Sequence, residues 1–345
     1  MNGGTRLFLH ARPGSPAAGD PAASPGGPPP PARRPRPPAI LGLPLDRTTS
    51  YRSGTALGPA AVRAASWSLE TFSPFLGGDL ADQVLHDFGD VDLDETLSLD
   101  AELALIEAAV SDLYRRGFLP VLIGGEHLVT LPAYRAVVGV ELEVAATVEP
   151  RPGAAFSGET GGTPAAPAMS GVGDPRPVLF HYDAHADLRD RYGDLRLSHA
   201  TVIRRVAELA GARNVYQFGI RSGEREEMRW AASNVNLVGG PLVEATRAAL
   251  RAAAGRKVYV TLDIDILDPS HAPGTGSPEP GGPTAAEVFE VVATLGSAAS
   301  LGAAGGGIDL LAFDLVEVSP PLDPSGRTPV VAAKILRELL IARGA

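Results

Sequence analysis

Cysteine is absent from this 345-residue chain. That excludes disulfides, a thiolate zinc site and a cysteine nucleophile. Long apolar runs are missing too: none approaches the roughly 20 residues that a membrane-spanning helix needs. The opening Met1-Asn-Gly-Gly-Thr-Arg-Leu-Phe-Leu-His10 holds too short an apolar stretch for the core of a secretory signal. No basic stretch is long enough to track a nucleic-acid backbone, and the formal net charge is −10. The expected setting is the cytoplasm, and neither membrane nor nucleic acid is expected as a partner. Acidity of this size steers cationic ligands favourably, weakly at physiological salt.

Apolar residues make up 44% of the chain, enough for a substantial core in one large α/β domain or two ordinary ones. Residues 1–38 hold eleven of the 32 prolines, with Ala, Gly and Arg, and are expected to be a disordered tail. Residues 145–177 repeat that chemistry and read as a disordered surface insertion, because the strand–helix rhythm resumes unchanged at Val178. Between and after them, apolar β-branched runs predict strands at 39–44, 118–123, 178–183, 214–219, 235–238, 257–263 and 310–316. Helical periodicity is predicted over 58–65, 99–116, 130–138, 199–210, 224–231, 242–254, 284–297 and 327–343. Such alternation predicts an α/β fold in three layers, a parallel sheet of about eight strands with helices on both faces.

Two runs at strand ends carry the chemistry: Asp183-Ala-His185-Ala-Asp187 and Asp263-Ile-Asp265. In a strand, residues i and i+2 share a face, so each run projects its polar side chains together. One aspartate after a strand commonly caps a helix. Two aspartates and a histidine in five residues, with a second Asp-x-Asp elsewhere, point instead to divalent metal, because carboxylates so crowded repel unless cations lie between them. Gly124-Gly125-Glu126-His127, at a third strand end, adds His127 as a sixth ligand, its glycines allowing close backbone approach. His181, inside its strand, reads as a packed, hydrogen-bonded histidine. Asp268, beyond the strand and before proline, reads as a turn residue. Strand C-terminal ends are where open α/β sheets place ligands.

Taken in order, Gly-Gly-Glu-His, Asp-Ala-His-Ala-Asp, Asp-Ile-Asp-Ile-Leu-Asp-Pro and Ala272-Pro-Gly-Thr-Gly-Ser-Pro-Glu-Pro-Gly-Gly282 resemble the ureohydrolases, the arginase/agmatinase family. The resemblance runs from about residue 39 to 343, outside the insertion. Thr49-Ser-Tyr-Arg-Ser-Gly-Thr55, Asp187-Leu-Arg-Asp190, Ser198-His-Ala-Thr201 and Val316-Glu-Val-Ser-Pro320 look closest to agmatinase. The resemblance implies the arginase-type fold and two Mn2+ per chain. His127, Asp183, Asp187 and Asp263 would hold one ion; Asp183, His185, Asp263 and Asp265 would hold the other. It makes His199 a proton shuttle with a pKa near the working pH, Glu317 the carboxylate that grips a guanidinium, and Asp187 the group that orients the nucleophile. The implied reaction is hydrolysis of a small guanidino substrate to urea and an amine, agmatine to putrescine. N1-aminopropylagmatine, guanidinobutyrate and arginine are alternative substrates, and a non-catalytic binding or regulatory member is a further alternative. The implied assembly is a homo-oligomer, a trimer or hexamer.

Two departures stand out. Leu128 follows the motif histidine where the family usually has a small hydroxyl residue. Leu188-Arg189 stands where arginases usually place an asparagine that reads the substrate's α-carboxylate; Asp190 and Asp194 are expected to neutralise Arg189.

Overall fold

A computed structural model of the chain describes residues 7–14, 36–94, 96–147, 174 and 176–344. In chain order its elements are β1 (Arg12–Pro13), β2 (Pro38–Leu43), α1 (Gly58–Ser66), β3 (Phe72–Ser73), β4 (Gly78–Asp79), β5 (His86–Asp90), α2 (Leu99–Arg115), β6 (Leu119–Gly124), α3 (Thr130–Thr147), β7 (Val178–Tyr182), α4 (Val202–Ala210), β8 (Val215–Phe218), α5 (Arg225–Asn234), β9 (Asn236–Val238), α6 (Leu242–Ala252), β10 (Lys257–Asp263), α7 (Ala285–Leu301), β11 (Asp309–Val316) and α8 (Arg327–Gly344). Nine strands form one sheet in the order β1-β5-β2-β6-β11-β10-β7-β8-β9, every pairing parallel. β3 and β4 make a separate antiparallel pair.

The central strands are buried on both faces, as their near-continuous apolar runs require. Alternate residues feed opposite layers. From β10, Val258, Val260 and Leu262 enter a core with α1, α6, α7 and α8, while Tyr259 enters one with α2, α3 and α4. The three-layer expectation holds, with nine strands rather than about eight.

Besides the small β3–β4 pair, the sequence reading missed two strands of the main sheet, β1 and β5, at one edge. β5 is His-Asp-Phe-Gly-Asp, too polar to stand out as an apolar run. β1 corrects the reading of residues 1–38 as wholly disordered. Phe8 is fully buried and Leu9 nearly so. The Phe8 amide donates to Asp87 Oδ2 at 2.8 Å, and the Leu9 amide donates to Ser66 Oγ at 2.8 Å. Asp87 also takes two bonds from the buried Arg63 guanidinium, at 2.9 and 3.0 Å. A buried ion pair persists only when its remaining hydrogen-bonding capacity is met, and the Phe8 amide helps meet it. Three apolar residues, Leu7-Phe8-Leu9, anchor a segment whose surroundings are otherwise tail-like. Residues 15–35 of the expected tail lie outside the described residues.

Most of the expected insertion at 145–177 also lies outside them. Its edges are corrected: α3 continues to Thr147, nine residues past the expected 138. Asp174 accepts from Arg176 and from Asn214 Nδ2 at 2.7 Å.

Deleting residues 1–14 removes Phe8 from the core, uncovers the edge of β5 and takes a donor from Asp87. Burial of one phenylalanine side chain contributes about 1.5–3 kcal/mol. The truncated chain is therefore expected to unfold at lower denaturant concentration, by a loss of at least about 2 kcal/mol in the extrapolated free energy. An unchanged midpoint would show that the segment only rests on the surface.

Candidate active site

The C-terminal ends of β6, β7, β10 and β11 meet above the middle of the sheet, and each delivers part of one polar cluster. The strand-alternation argument for Asp183–His185 and Asp263–Asp265 holds only in its outcome. β7 ends at Tyr182, and β10 ends at Asp263. Asp265 lies in one 3-10 turn, Ile264–Ile266. What aligns the pairs is an Asx-type turn in each. The His185 amide donates to Asp183 Oδ1 at 2.5 Å, and the Asp265 amide to Asp263 Oδ1 at 2.8 Å.

His127 Nδ1 lies 3.2 Å from Asp183 Oδ2, 3.1 Å from Asp187 Oδ2 and 3.3 Å from Asp263 Oδ2. His185 Nδ1 lies 3.0 Å from Asp265 Oδ2 and 3.6 Å from Asp183 Oδ1. Asp183 thus faces both histidines, one oxygen to each. All six residues predicted to be ligands converge. His181 sits beside them, but both its ring nitrogens are engaged, Nδ1 with Gln217 Nε2 at 2.9 Å and Nε2 with Asp183 Oδ2 at 2.8 Å. It therefore holds Asp183 in place, as a packed, hydrogen-bonded histidine. Asp268 is a turn residue, accepting from the Ser270 and Gly281 amides. Leu128 is fully buried in the apolar core.

The carboxylates are pushed apart in acidity by burial and by one another. Burial and the charge of Asp183 raise Asp187 to about 7 and Asp265 to about 6. Burial, then Asp265 and Asp183, raise Asp263 well above the carboxylate range. Burial works against Asp183 as well, yet His181, His127 and His185 hold it well below that range. Burial works against a charged His127, but Asp183, Asp187 and Asp263 lift it far above the usual imidazole value. His185 is raised to about 12 in the same way by Asp183 and Asp265. Without cations, the cluster has to hold protons instead.

These residues fit divalent metal. His127 Nε2 lies 3.0 Å from Thr261 Oγ1. With that bond donated by the imidazole, Nδ1 presents a lone pair toward three carboxylate oxygens. That buried Nδ1 has no hydrogen-bond partner. Ligand atoms of His127, His181, Asp183 and Asp187 lie within 4.8 Å of one another, as do those of Asp183, His185 and Asp265.

The cluster floors a cavity of about 330 Å³ whose walls include Ser50, Arg189, Tyr192, His199, Glu224 and Glu317. Asp187 and Glu317 both have positive φ, 50° and 65°, which non-glycine residues rarely adopt. The strain at Glu317 aims its carboxylate into the cavity, where Oε1 accepts from the His127 amide at 2.7 Å. Burial keeps Glu317 well above its usual pKa. His199 begins a short 3-10 turn, with Tyr192 packed edge-on at 5.5 Å and Ser50 Oγ 3.3 Å from Nε2. Burial, with the charged His127 and His185 nearby, lowers it to about 4, which revises the expectation that it titrates near neutrality. Arg189 is also placed differently from expectation. It pairs with Glu224 at 3.0 Å and faces Glu227 at 3.7 Å, while Asp190 is taken by Arg205 at 2.8 Å.

Sequence reasoning missed Thr261, Gln217 and Glu227. Glu227 accepts from the Leu188 amide at 2.7 Å and so steadies the loop after Asp187. Thr261 was legible as a polar residue in the middle of an apolar strand; Glu227 had no such signal.

The Arginase family model matches residues 36–149 and 160–342. The chain belongs to the arginase family. It is a hydrolase of the ureohydrolase group. It is 38% identical over 303 residues to an agmatinase of Bacillus anthracis, covering 88% of this chain and 90% of that one. It is 32% identical over 317 residues to a guanidinobutyrase of Pseudomonas aeruginosa, covering 88% and 85%. The crystal structure of agmatine ureohydrolase of Thermoplasma volcanium superposes with a TM-score of 0.69 at 27% identity, covering 90% of both chains. Among the described residues of this member, no helix is long and apolar enough to cross a membrane.

Metal binding to this cluster must displace protons, because the ligands bind deprotonated. Asp187 and Asp265, held at about 7 and 6, bind protons at acidic pH and lose them as pH rises. Divalent-metal affinity should therefore increase with pH through that window. Calorimetric titration in buffers of different ionisation enthalpy should show proton release that shrinks above pH 7. Affinity independent of pH from 5.5 to 8 would contradict the assignment.

Proposed function

We propose that this chain hydrolyses agmatine to putrescine and urea with two Mn2+ ions. The observation that carries the guanidino assignment is the buried Glu317 carboxylate, which shares one cavity with the Asp/His cluster. A planar guanidinium pairs with a two-oxygen acceptor in a fixed orientation. The names of the relatives, agmatinase and guanidinobutyrase, support the same substrate class. The oxygen-rich ligand set suits manganese among the available divalents.

A guanidinium carbon is a poor electrophile, because resonance spreads its positive charge, and water is a poor nucleophile at neutral pH. Divalent ions, when bound by His127, Asp183, His185, Asp187, Asp263 and Asp265, supply the field that ionises water near neutrality. Glu317 holds the guanidinium so that its carbon faces the cluster. Asp187, ionised when it serves as a ligand, orients the attacking oxygen by accepting a hydrogen bond. His199 rests neutral, since burial holds it at about 4. It therefore takes a proton only as the reaction proceeds, and returns it to the departing amine as the tetrahedral intermediate collapses.

Substrate choice rests on Arg189. Arginine differs from agmatine by one α-carboxylate, which has to be paired in a desolvated pocket. Arg189 is the arginine on the cavity wall, and Glu224 and Glu227 already engage it. Two carboxylates against one guanidinium leave that rim net negative, which suits the free ammonium of agmatine. A second reading, a guanidino acid such as guanidinobutyrate, follows if Arg189 leaves Glu224 to meet a carboxylate.

Urea release by the manganese-loaded protein should give a kcat/KM for agmatine at least ~100-fold above that for arginine, the discrimination expected from a few kcal/mol. Glu224→Gln should narrow the gap between agmatine and guanidinobutyrate by releasing Arg189. Equal rates on arginine and agmatine would refute the agmatine assignment and leave guanidino hydrolysis standing.

A further inference from the structure

Glu126 has no place in the chemistry described above, yet it is fully buried, one residue from His127. Its Oε2 accepts from the Thr48 amide at 2.8 Å and from Thr48 Oγ1 at 2.9 Å. Thr48 Oγ1 in turn accepts from the His199 amide at 3.0 Å. A threonine hydroxyl has one proton to donate. Glu126 takes it, which leaves a lone pair of Oγ1 turned toward His199. We propose that Glu126, acting through Thr48, is the positioning residue that fixes His199 over the cavity. The proposal rests on the reading of His199 as the proton carrier.

The backbone shows that this contact is built in. The Gly125 amide donates to Leu43 O and the Glu126 amide to Leu45 O, each at 2.7 Å. A Cβ on Gly125 would lie 2.0 Å from Leu45 O, so only glycine lets the two segments close to this distance. The loop that carries Thr48 is thereby docked on the motif that carries His127. His199 lies 151 residues from Thr48 in sequence, and Ser198 begins its turn in extended conformation with φ −161° and ψ 168°. Thr48 is thus the link by which the metal-ligand motif sets the position of a residue from a distant loop. Within the set, directionality runs one way: His199 N–H to Thr48 Oγ1, and Thr48 O–H to Glu126.

Such a device acts on geometry, so its loss should slow turnover without weakening substrate or metal binding. The manganese-loaded full chain carrying Thr48→Val, which keeps the shape and removes the hydroxyl, should lose kcat on the order of 10- to 100-fold, the range for a small misplacement of a catalytic group. KM and manganese content should stay at wild-type values. Thr48→Ser, which keeps the hydroxyl, should restore turnover. His199→Gln should itself lower kcat, and adding Thr48→Val to it should cost little more, because both act through one residue. Wild-type kcat in Thr48→Val beside a slow His199→Gln would overturn the proposal, as would fully multiplicative losses in the double variant. Loss of manganese in Thr48→Val would also overturn it, since the hydroxyl would then support the ligands rather than His199. Wild-type kcat in His199→Gln would instead remove the underlying reading of His199, and this inference with it.

Discussion

Four aspartates, two histidines and a glutamate crowd one buried pocket, and their mutual repulsion is the constraint around which the structure is arranged. Charges that share a low-dielectric site interact far more strongly than they would in water. Burial and like charge drive Asp187, Asp263, Asp265 and Glu317 toward their neutral forms, while the two histidines are driven toward their charged forms. Only cations in the middle let every group adopt the state that binds metal. The surrounding structure is built to hold that unfavourable arrangement still. His181 and Gln217 fix Asp183, Asx-type turns fix the Asp183–His185 and Asp263–Asp265 pairs, and positive φ at Asp187 and Glu317 is tolerated because packing over-determines it.

The parallel sheet explains why such a cluster can be built at all. Parallel strands deliver their C-terminal ends to one side, and the central strands β6, β11, β10 and β7 are adjacent. Residues from four separate sequence regions therefore meet at one end of the sheet. The layers on the two faces bury alternate strand residues, so the strand ends inherit a rigid base. His199 and Glu317 lie beyond the strands and are tied back to the motif that holds His127, Glu317 by one hydrogen bond from the His127 amide and His199 by two, through Thr48 to Glu126.

Much of this was legible in the sequence, for physical reasons. Apolar β-branched runs ending in Asp or His mark buried strands whose polar ends have work to do, so the layers, the central strands and all six cluster residues could be read. Less could be read wherever hydrophobicity and function part company. β5 is polar because Asp87 sits inside a buried ion pair, and so it carries no strand signature. Phe8 and Leu9 are too few to register against a proline-rich background. Asp190 seemed the natural partner of Arg189 because it is adjacent in sequence, but Glu224, across the pocket, takes that place, and pairing across a fold leaves no trace in local spacing. Glu126 was visible as a residue of its motif, whereas Thr48 lies just outside the Thr49–Thr55 stretch, and their junction with His199 exists only in three dimensions.

The central claim, that cations resolve the repulsion in this pocket, is tested most directly by thermal unfolding of the metal-free chain during manganese titration. A ligand that binds only the native state raises Tm until its sites are filled. The account predicts a rise that saturates at two equivalents. It also predicts that Asp263→Asn, which mimics the neutral form this residue is pushed toward, unfolds near the metal-free wild-type temperature and loses most of the rise. A midpoint indifferent to manganese, or an Asp263→Asn chain that gains as much as wild type, would contradict it.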